Sequence, residues 1–264
     1  MNLRLRENLV VITGASSGIG EKIAIECAKQ GAYPILLARR VERLEKISRE
    51  IEKTYKVPCS YYALDVQKIE EIQIVFEKIE REIGTIDILV NNAGFGIFNH
   101  AIDATTDEMR AMFEVNVFGL IESTKAVLPK MIERRKGHII NIASQAGKLA
   151  TPKSSIYAAT KHAVLGFTNS LRMELKDENI FVTAVNPGPI RTNFFDIADE
   201  GGDYMKNIDR WMLDPNKVAE KIVKAMMTPK REINLPGWMG LGSTIYQIMP
   251  GFVELIGGKA FLKK

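Results

Sequence analysis

A phenol and an ammonium four positions apart, Tyr157 and Lys161 in Tyr-Ala-Ala-Thr-Lys, are the side chains of this chain best suited to move a proton. On a helix both would lie on one face, a single turn apart. The ammonium would then favour the ionised form of a phenol whose ordinary pKa is about 10, drawing it toward the range in which it serves as a general acid or base. A Tyr-x-x-x-Lys pair taken alone is a frequent structural feature of helices, so its meaning depends on the company it keeps.

A second feature stands near the start of the chain, Thr13-Gly14-Ala15-Ser16-Ser17-Gly18-Ile19-Gly20. Residues 8 to 13 before it form a short β-branched apolar run, and after it Ile19, Ile23, Ala24 and Cys27 recur at helical spacing. Glycines between a buried strand and a helix let the backbone turn sharply and approach a pyrophosphate, whose charge suits the unpaired N–H groups at the helix start. A dinucleotide site on Gly14, Ser16, Ser17, Gly18, Ile19 and Gly20 follows as the expectation.

The elements that must position these groups alternate along the chain. Strands are expected at 8–13, 33–38, 59–64, 86–90, 137–142 and 180–186, with a weaker one at 231–235; helices are expected at 18–30, 41–54, 67–83, 106–135, 155–177 and 215–227. Such alternation predicts an α/β fold with a parallel sheet covered on both faces, a doubly wound Rossmann arrangement with about seven strands. Its ligand crevice lies at the carboxyl ends of the strands, where both features above fall.

The 264 residues suffice for one large domain, 1–264, and no linker, low-complexity stretch or repeat divides them. A net charge of +4, spread along the chain, does not indicate nucleic acid. The run Glu133-Arg134-Arg135-Lys136 reads as cations at a helix end, not as a nucleic-acid patch. Cys27 and Cys59 read as buried or free thiols, Met1 to Glu7 has no signal-peptide form, and a reducing cytoplasm is the expected location. No metal-ligand spacing occurs; His100 and His162 read as bystanders.

The spacing Thr-Gly-x-x-x-Gly-x-Gly resembles the short-chain dehydrogenase/reductase family. Asn91-Asn92-Ala93-Gly94 after the strand at 86–90, Asn116 in Val-Asn-Val-Phe-Gly, Ser144, the Tyr157–Lys161 pair and Pro187-Gly188 follow in that family's order, and the likeness covers about residues 8 to 192. It implies an NADP(H)-dependent oxidoreductase that interconverts a ketone or aldehyde and an alcohol. Tyr157 would transfer the proton, Lys161 would also hold the nicotinamide ribose, Ser144 would hold the substrate oxygen, and Asn116 would anchor a proton-relaying water. Asp65 and Val66 would border the adenine, Asn92, Ala93 and Gly94 the cofactor's inner face, and Pro187, Gly188, Ile190 and Thr192 the nicotinamide.

The second strand ends in Ala38-Arg39-Arg40 where a carboxylate would favour NAD. A guanidinium there can pair with the 2′-phosphate of NADP, so NAD(H) is the less favoured cofactor. The alternative is that both arginines are solvated residues opening the next helix, as Asp65 could simply cap the helix after it.

Residues 193–213 match the family's substrate lid and carry Phe194, Phe195, Tyr204, Trp211 and Met212, with Gly201-Gly202 as a candidate hinge. The extension 236–264 departs from bacterial 3-oxoacyl reductases and resembles the carbonyl and lipid-ketone reductase branch. From Ile233 to Val253 there is no charge. Prolines and glycines make a spanning helix improbable, leaving subunit packing or a lid ahead of peripheral membrane contact, because no cationic face appears before Lys259, Lys263 and Lys264. The resemblance implies a homodimer or homotetramer through the helices at 106–135 and 155–177, where Phe118, Leu120, Ala163, Phe167 and Leu171 could pack in the interface or in the core. Two other functions stay open: a 3-oxoacyl or hydroxy-acid reductase of the same family, and an NADP-sensing protein without turnover.

Overall fold

The computed structural model describes residues 4–198 and 208–261, the side chains of 197 and 256–261 excepted. The strands are β1 (Leu9–Thr13), β2 (Tyr33–Ala38), β3 (Ser60–Ala63), β4 (Ile88–Asn91), β5 (Gly137–Ile142), β6 (Ile180–Pro187) and β7 (Glu232–Leu235). All pair in parallel in the order β3-β2-β1-β4-β5-β6-β7. The chain starts at the centre, runs outward to β3 and returns to lay β4 on the other side of β1. A crevice therefore opens where β1 and β4 diverge at their carboxyl ends.

Both faces of the sheet are covered, so its strands are apolar on both sides. Val10 and Ile12 pack toward α1 (Gly18–Lys29), α2 (Val41–Tyr55) and α8 (Pro215–Ala225), through Ile23, Leu44 and Ile222. Val11 turns the other way, as alternation requires, toward α3 (Ile69–Glu82), α5 (Gly119–Glu133) and α6 (Ser155–Glu174), through Phe76, Val127 and Leu171. Cys27 and Cys59 are buried free thiols.

One expected helix is not continuous. The stretch 106–135 divides into α4 (Thr106–Phe113), a π turn at Glu114–Phe118 and α5. The apolar period runs through this break, so the pattern alone reads as one helix. Single π turns inside helices recur at functional sites, and this one carries Asn116. Gly119 follows it where a Cβ would come within 2.6 Å of the Val66 carbonyl oxygen, so α5 starts hard against the loop after β3. Asp65 does not cap α3: Lys68 occupies the cap position, and the Asp65 carboxylate accepts from the Gln67 N–H at 3.2 Å in the turn before the helix.

His138, inside β5, is the one histidine that sequence patterns did not single out. Its Nδ1 accepts from the Met227 N–H at 2.9 Å, so Nε2 carries the proton toward Thr183 Oγ1, 2.8 Å away, whose hydroxyl donates to the Lys230 carbonyl. This ties β5 and β6 to the loop before β7. Burial, aided by the Arg4 charge, pushes the imidazole down to about 3. A folded-state pKa below the unfolded value of 6.5 means that the unfolded chain alone takes up this proton as pH falls. The stability is therefore fully present above about 6.5 and drains away toward 3. Urea unfolding is expected to show a loss of about 1.5 kcal/mol from this group between pH 6.5 and about pH 5. A His138→Gln variant should lack that slope; the same slope in both proteins would assign it to other groups.

Candidate active site

The site is assembled from strand ends. Thr13 closes β1 with a buried hydroxyl that accepts from the Asn92 and Ala93 N–H groups, both at 3.0 Å. Asn92 answers through Nδ2, which donates to the Thr13 and Gly14 carbonyls at 3.0 and 3.1 Å. The loops after β1 and β4 are thereby clamped together at the mouth of the crevice. Gly14 has φ +66°, and a Cβ there would come within 2.8 Å of Ala93 Cα, so only glycine fits. The next helix starts at Gly18 with Ser17 in the cap position making no side-chain cap hydrogen bond. Its first N–H groups are left to an anion, which suits a pyrophosphate.

Arg40 reaches back over this turn. Its Nη2 donates to Ser16 Oγ at 3.0 Å and Ser17 Oγ at 2.9 Å. Arg39 is exposed, with Nη1 4.0 Å from Asp65 Oδ2. Arg43, one turn into α2, pairs with Glu21 at 3.5 Å and faces the same space. Sequence reading missed Arg43, although its place three residues after Arg40 puts both on one side of the first turn. Three guanidiniums with two serine hydroxyls beside a glycine turn fit the 2′-phosphate and diphosphate of an NADP-type cofactor.

Deeper in the crevice Lys161 is almost fully buried, and its Nζ donates to the Ile142 carbonyl at 2.9 Å and lies 5.7 Å from the centre of the Tyr157 ring. Burial pushes its ammonium down to about 8. Ser144, at the end of β5, accepts from the Ala146 N–H at 3.0 Å, leaving its own proton to donate. Gly94 stands where a Cβ would come within 2.9 Å of Asn116 Oδ1.

Asn116 is fully buried behind the wall. Its Oδ1 accepts from the Phe95 N–H at 3.0 Å, and its Nδ2 donates to the Phe95 carbonyl at 2.8 Å and to Thr160 Oγ1 at 3.1 Å. The side chain is thus committed to holding the loop after β4 against α6, and does not reach the cavity surface. A buried ladder runs beside it: Asn91 Nδ2 donates to Thr124 and Asn141, and Asn141 Nδ2 to Thr168, all at 2.9 Å. It locks α5 and α6 to the sheet beneath the site.

One cavity of about 1190 Å³ joins these parts. Gly14, Ser16, Ser17, Gly18, Ile19, Arg39, Arg40, Asp65, Val66, Asn92, Ala93, Gly94, Ser144, Tyr157, Lys161, Pro187, Gly188, Ile190 and Thr192 all line it. Gly20 and Asn116 do not. Gly20 is a packing position, where a Cβ would come within 2.5 Å of the Gly14 carbonyl oxygen. Ile190 pairs with Leu213, which pins the two ends of the 193–213 segment together; Tyr204, Gly201 and Gly202 lie outside the described residues.

Beyond Tyr157 the wall is aromatic. The Phe98 and Phe194 ring centres stand 5.8 and 5.7 Å from that of Tyr157, and Phe195 stands 5.3 Å from Phe194. Phe98 was not singled out from sequence, since the loop that carries it has no periodic pattern. Its N–H donates to the Ala198 carbonyl at 3.0 Å, which fastens α7 (Phe194–Ala198) over the site. His100 is exposed and does not line the cavity, while His162 Nδ1 sits 2.8 Å from its own helix's Ala158 carbonyl.

Residues 8–201 match the family profile described as short chain dehydrogenase. An NADP-dependent 3-hydroxy acid dehydrogenase of Schizosaccharomyces pombe is 36% identical over 230 residues, covering 84% of this chain and 88% of that protein. The dehydrogenase/reductase SDR family member 7B of Bos taurus is 34% identical over 273 residues, covering 98% and 83%. Among solved structures, an alcohol dehydrogenase of Thermococcus sibiricus complexed with 5-hydroxy-NADP superposes with a TM-score of 0.78 at 29% identity, covering 87% of this chain and 96% of that one.

Proposed function

Since the chain belongs to the short-chain dehydrogenase family and is an oxidoreductase, we propose that it is an NADP(H)-dependent reductase of ketones or aldehydes with a sizeable apolar part. The observation that carries this reading is the cavity itself, with arginines and serines at one end, Ser144, Tyr157 and Lys161 in the middle and a wall of phenylalanines at the other. The cofactor preference is supported by Arg39, Arg40 and Arg43, by the NADP-dependent relative and by the NADP-type ligand of the structural neighbour.

Ser16, Ser17 and the arginines would hold the phosphates, and the loops at Asn92–Gly94 and Pro187–Thr192 the nicotinamide half. When bound, NADPH supplies a hydride for the carbonyl carbon. Ser144 would donate a hydrogen bond from its hydroxyl to the carbonyl oxygen, keeping its own proton and fixing that oxygen's position, while Tyr157 would give up the phenolic proton to it as negative charge develops there. Lys161, charged below about pH 8, stabilises the phenolate that is left. Asn116 acts on this centre as a positioning residue through Phe95 and Thr160. Its side-chain bonds to Phe95 and Thr160 point away from the cavity, so a water relaying protons from Lys161 would be held by this residue only indirectly.

The free-enzyme state of Lys161 sets a pH limit. Above about 8 it loses its charge, so kcat/KM for NADPH is expected to decline progressively on the alkaline side from there. A profile flat up to about pH 10, the range of an ordinary lysine, would remove Lys161 from this role.

A second reading, a hydroxy-acid reductase, is favoured by the name of the S. pombe relative. A substrate carboxylate would call for a cation beyond Tyr157. Among the described residues lining that end, from Phe95 and Phe98 to Phe194, Phe195 and Met239, there is none, and Asp196 is an acid. Rates on plain apolar ketones, 3-oxoacyl thioesters and hydroxy acids decide between the readings: preference for the acids would reverse our choice. The same reading has the enzyme act in the cytoplasm as a homodimer or homotetramer. Phe118 and Met173 are outward apolar residues available for subunit contact, while Leu120 and Leu171 belong to the core.

A further inference from the structure

The helix after β7, α9 (Gly237–Ile248), is packed inside out. Beside Met239, which turns inward, its contacts with β7 are made by small residues: a Cβ on Gly240 would come within 2.9 Å of Asn234 Cβ, and the Ser243 hydroxyl is buried and bonded to the Gly240 carbonyl at 2.9 Å. Four of its large apolar residues face outward. Trp238, Leu241, Ile245 and Ile248 recur at helical spacing on one side, with Leu241 and Ile248 68% and 74% exposed. The following helix, α10 (Pro250–Phe261), adds Phe252 and Leu255, the latter 80% exposed. An exposed apolar surface of this kind marks a face that works covered.

Two observations identify what covers it. At its edge Trp211 meets Trp238 edge-on with ring centres 6.2 Å apart, and the Arg210 guanidinium lies 5.1 Å over the Trp211 ring. Indole rings beside a guanidinium, next to a segment without charge from 233 to 253, match the boundary between acyl chains and anionic headgroups. The cation that sequence windows on the tail lacked is contributed by a different segment. Secondly, Met239 turns inward from the same helix, against Gly188, and lines the cavity, so α9 stands between the cavity and this face. We propose that the outward face of α9 and α10, edged by Trp211 and Trp238, seats peripherally in an anionic lipid bilayer surface. On the reading of the cavity given above, an apolar carbonyl compound held in the bilayer would then lie one helix away from the cavity that holds Tyr157. The contact is peripheral, since among the described residues no helix is long and apolar enough to cross a membrane.

Flotation of the full chain with phosphatidylcholine vesicles, alone or mixed with phosphatidylglycerol, tests this without any turnover, so its outcome is independent of the assigned reaction. Binding stronger on the anionic vesicles is expected. The double variant Leu241→Ser/Ile248→Ser, altered only at outward positions, should lower the vesicle partition coefficient about a hundredfold while keeping NADPH affinity. Absence of binding to either vesicle, or equal binding by the variant, would overturn the proposal. A dimer by light scattering that the double variant dissociates, with no vesicle binding, would assign the face to a second copy of the chain instead.

Discussion

Tyr157→Phe is expected to lower kcat about a thousandfold while leaving the NADPH dissociation constant within about twofold of the parent. The substitution removes one hydroxyl and keeps the ring that packs against Phe98 and Phe194. The wall around it and Gly96, which lies against the same ring, need not move. Lys161 retains its bond to the Ile142 carbonyl and the cradle at Gly14 is untouched. Loss of turnover with intact cofactor affinity separates proton transfer from binding. Comparable kcat in the two proteins would show that the phenol is not the acid.

The second large effect concerns the choice of cofactor. Arg39→Asp is expected to raise the NADPH dissociation constant about a hundredfold, because it replaces a charge-assisted partner of the 2′-phosphate by a repelling carboxylate. NADH, which has a hydroxyl at that position, should change by no more than about threefold. Arg40→Ala should weaken NADPH in the same direction, since its bonds to Ser16 and Ser17 bring a guanidinium over the phosphate turn. Fluorescence titration of both cofactors reads the ratio directly. An unchanged ratio in both variants would move the 2′-phosphate elsewhere, with Arg43 the remaining guanidinium.

Much of this architecture is legible in sequence because the signals are local. The strand at 8–13 announces itself by a β-branched run, and the observed β1 is Leu9–Thr13. The weaker strand at 231–235 pairs with β6 as β7, Glu232–Leu235. The glycine turn and the Tyr157–Lys161 pair sit on short segments whose geometry the flanking elements dictate. What escaped depends on contacts between distant segments. The π turn at 114–118 leaves the apolar period almost unchanged, yet it places Asn116 against Phe95. Gly20 looks like a ligand glycine and serves to let α1 approach the Gly14 carbonyl. His138 is hidden in a strand, and its partners Met227, Thr183 and Lys230 lie 45 or more residues away. Phe98 gains its meaning only from Phe194 and Tyr157, brought to it by the fold. The tail is read from its charge, its prolines and glycines and its resemblance, whereas the direction in which α9 turns its large side chains is a property of packing on Asn234.

The central claim is that this cavity reduces an apolar carbonyl compound at the expense of NADPH. It is tested most directly by single turnovers of the purified protein preloaded with NADPH, mixed with a panel of bulky aliphatic, aromatic and steroidal ketones, with alcohol and NADP+ both quantified. The account predicts equal amounts of alcohol and NADP+ on at least one bulky apolar ketone, with NADH much slower. NADPH that binds tightly yet remains unoxidised across the whole panel would contradict it.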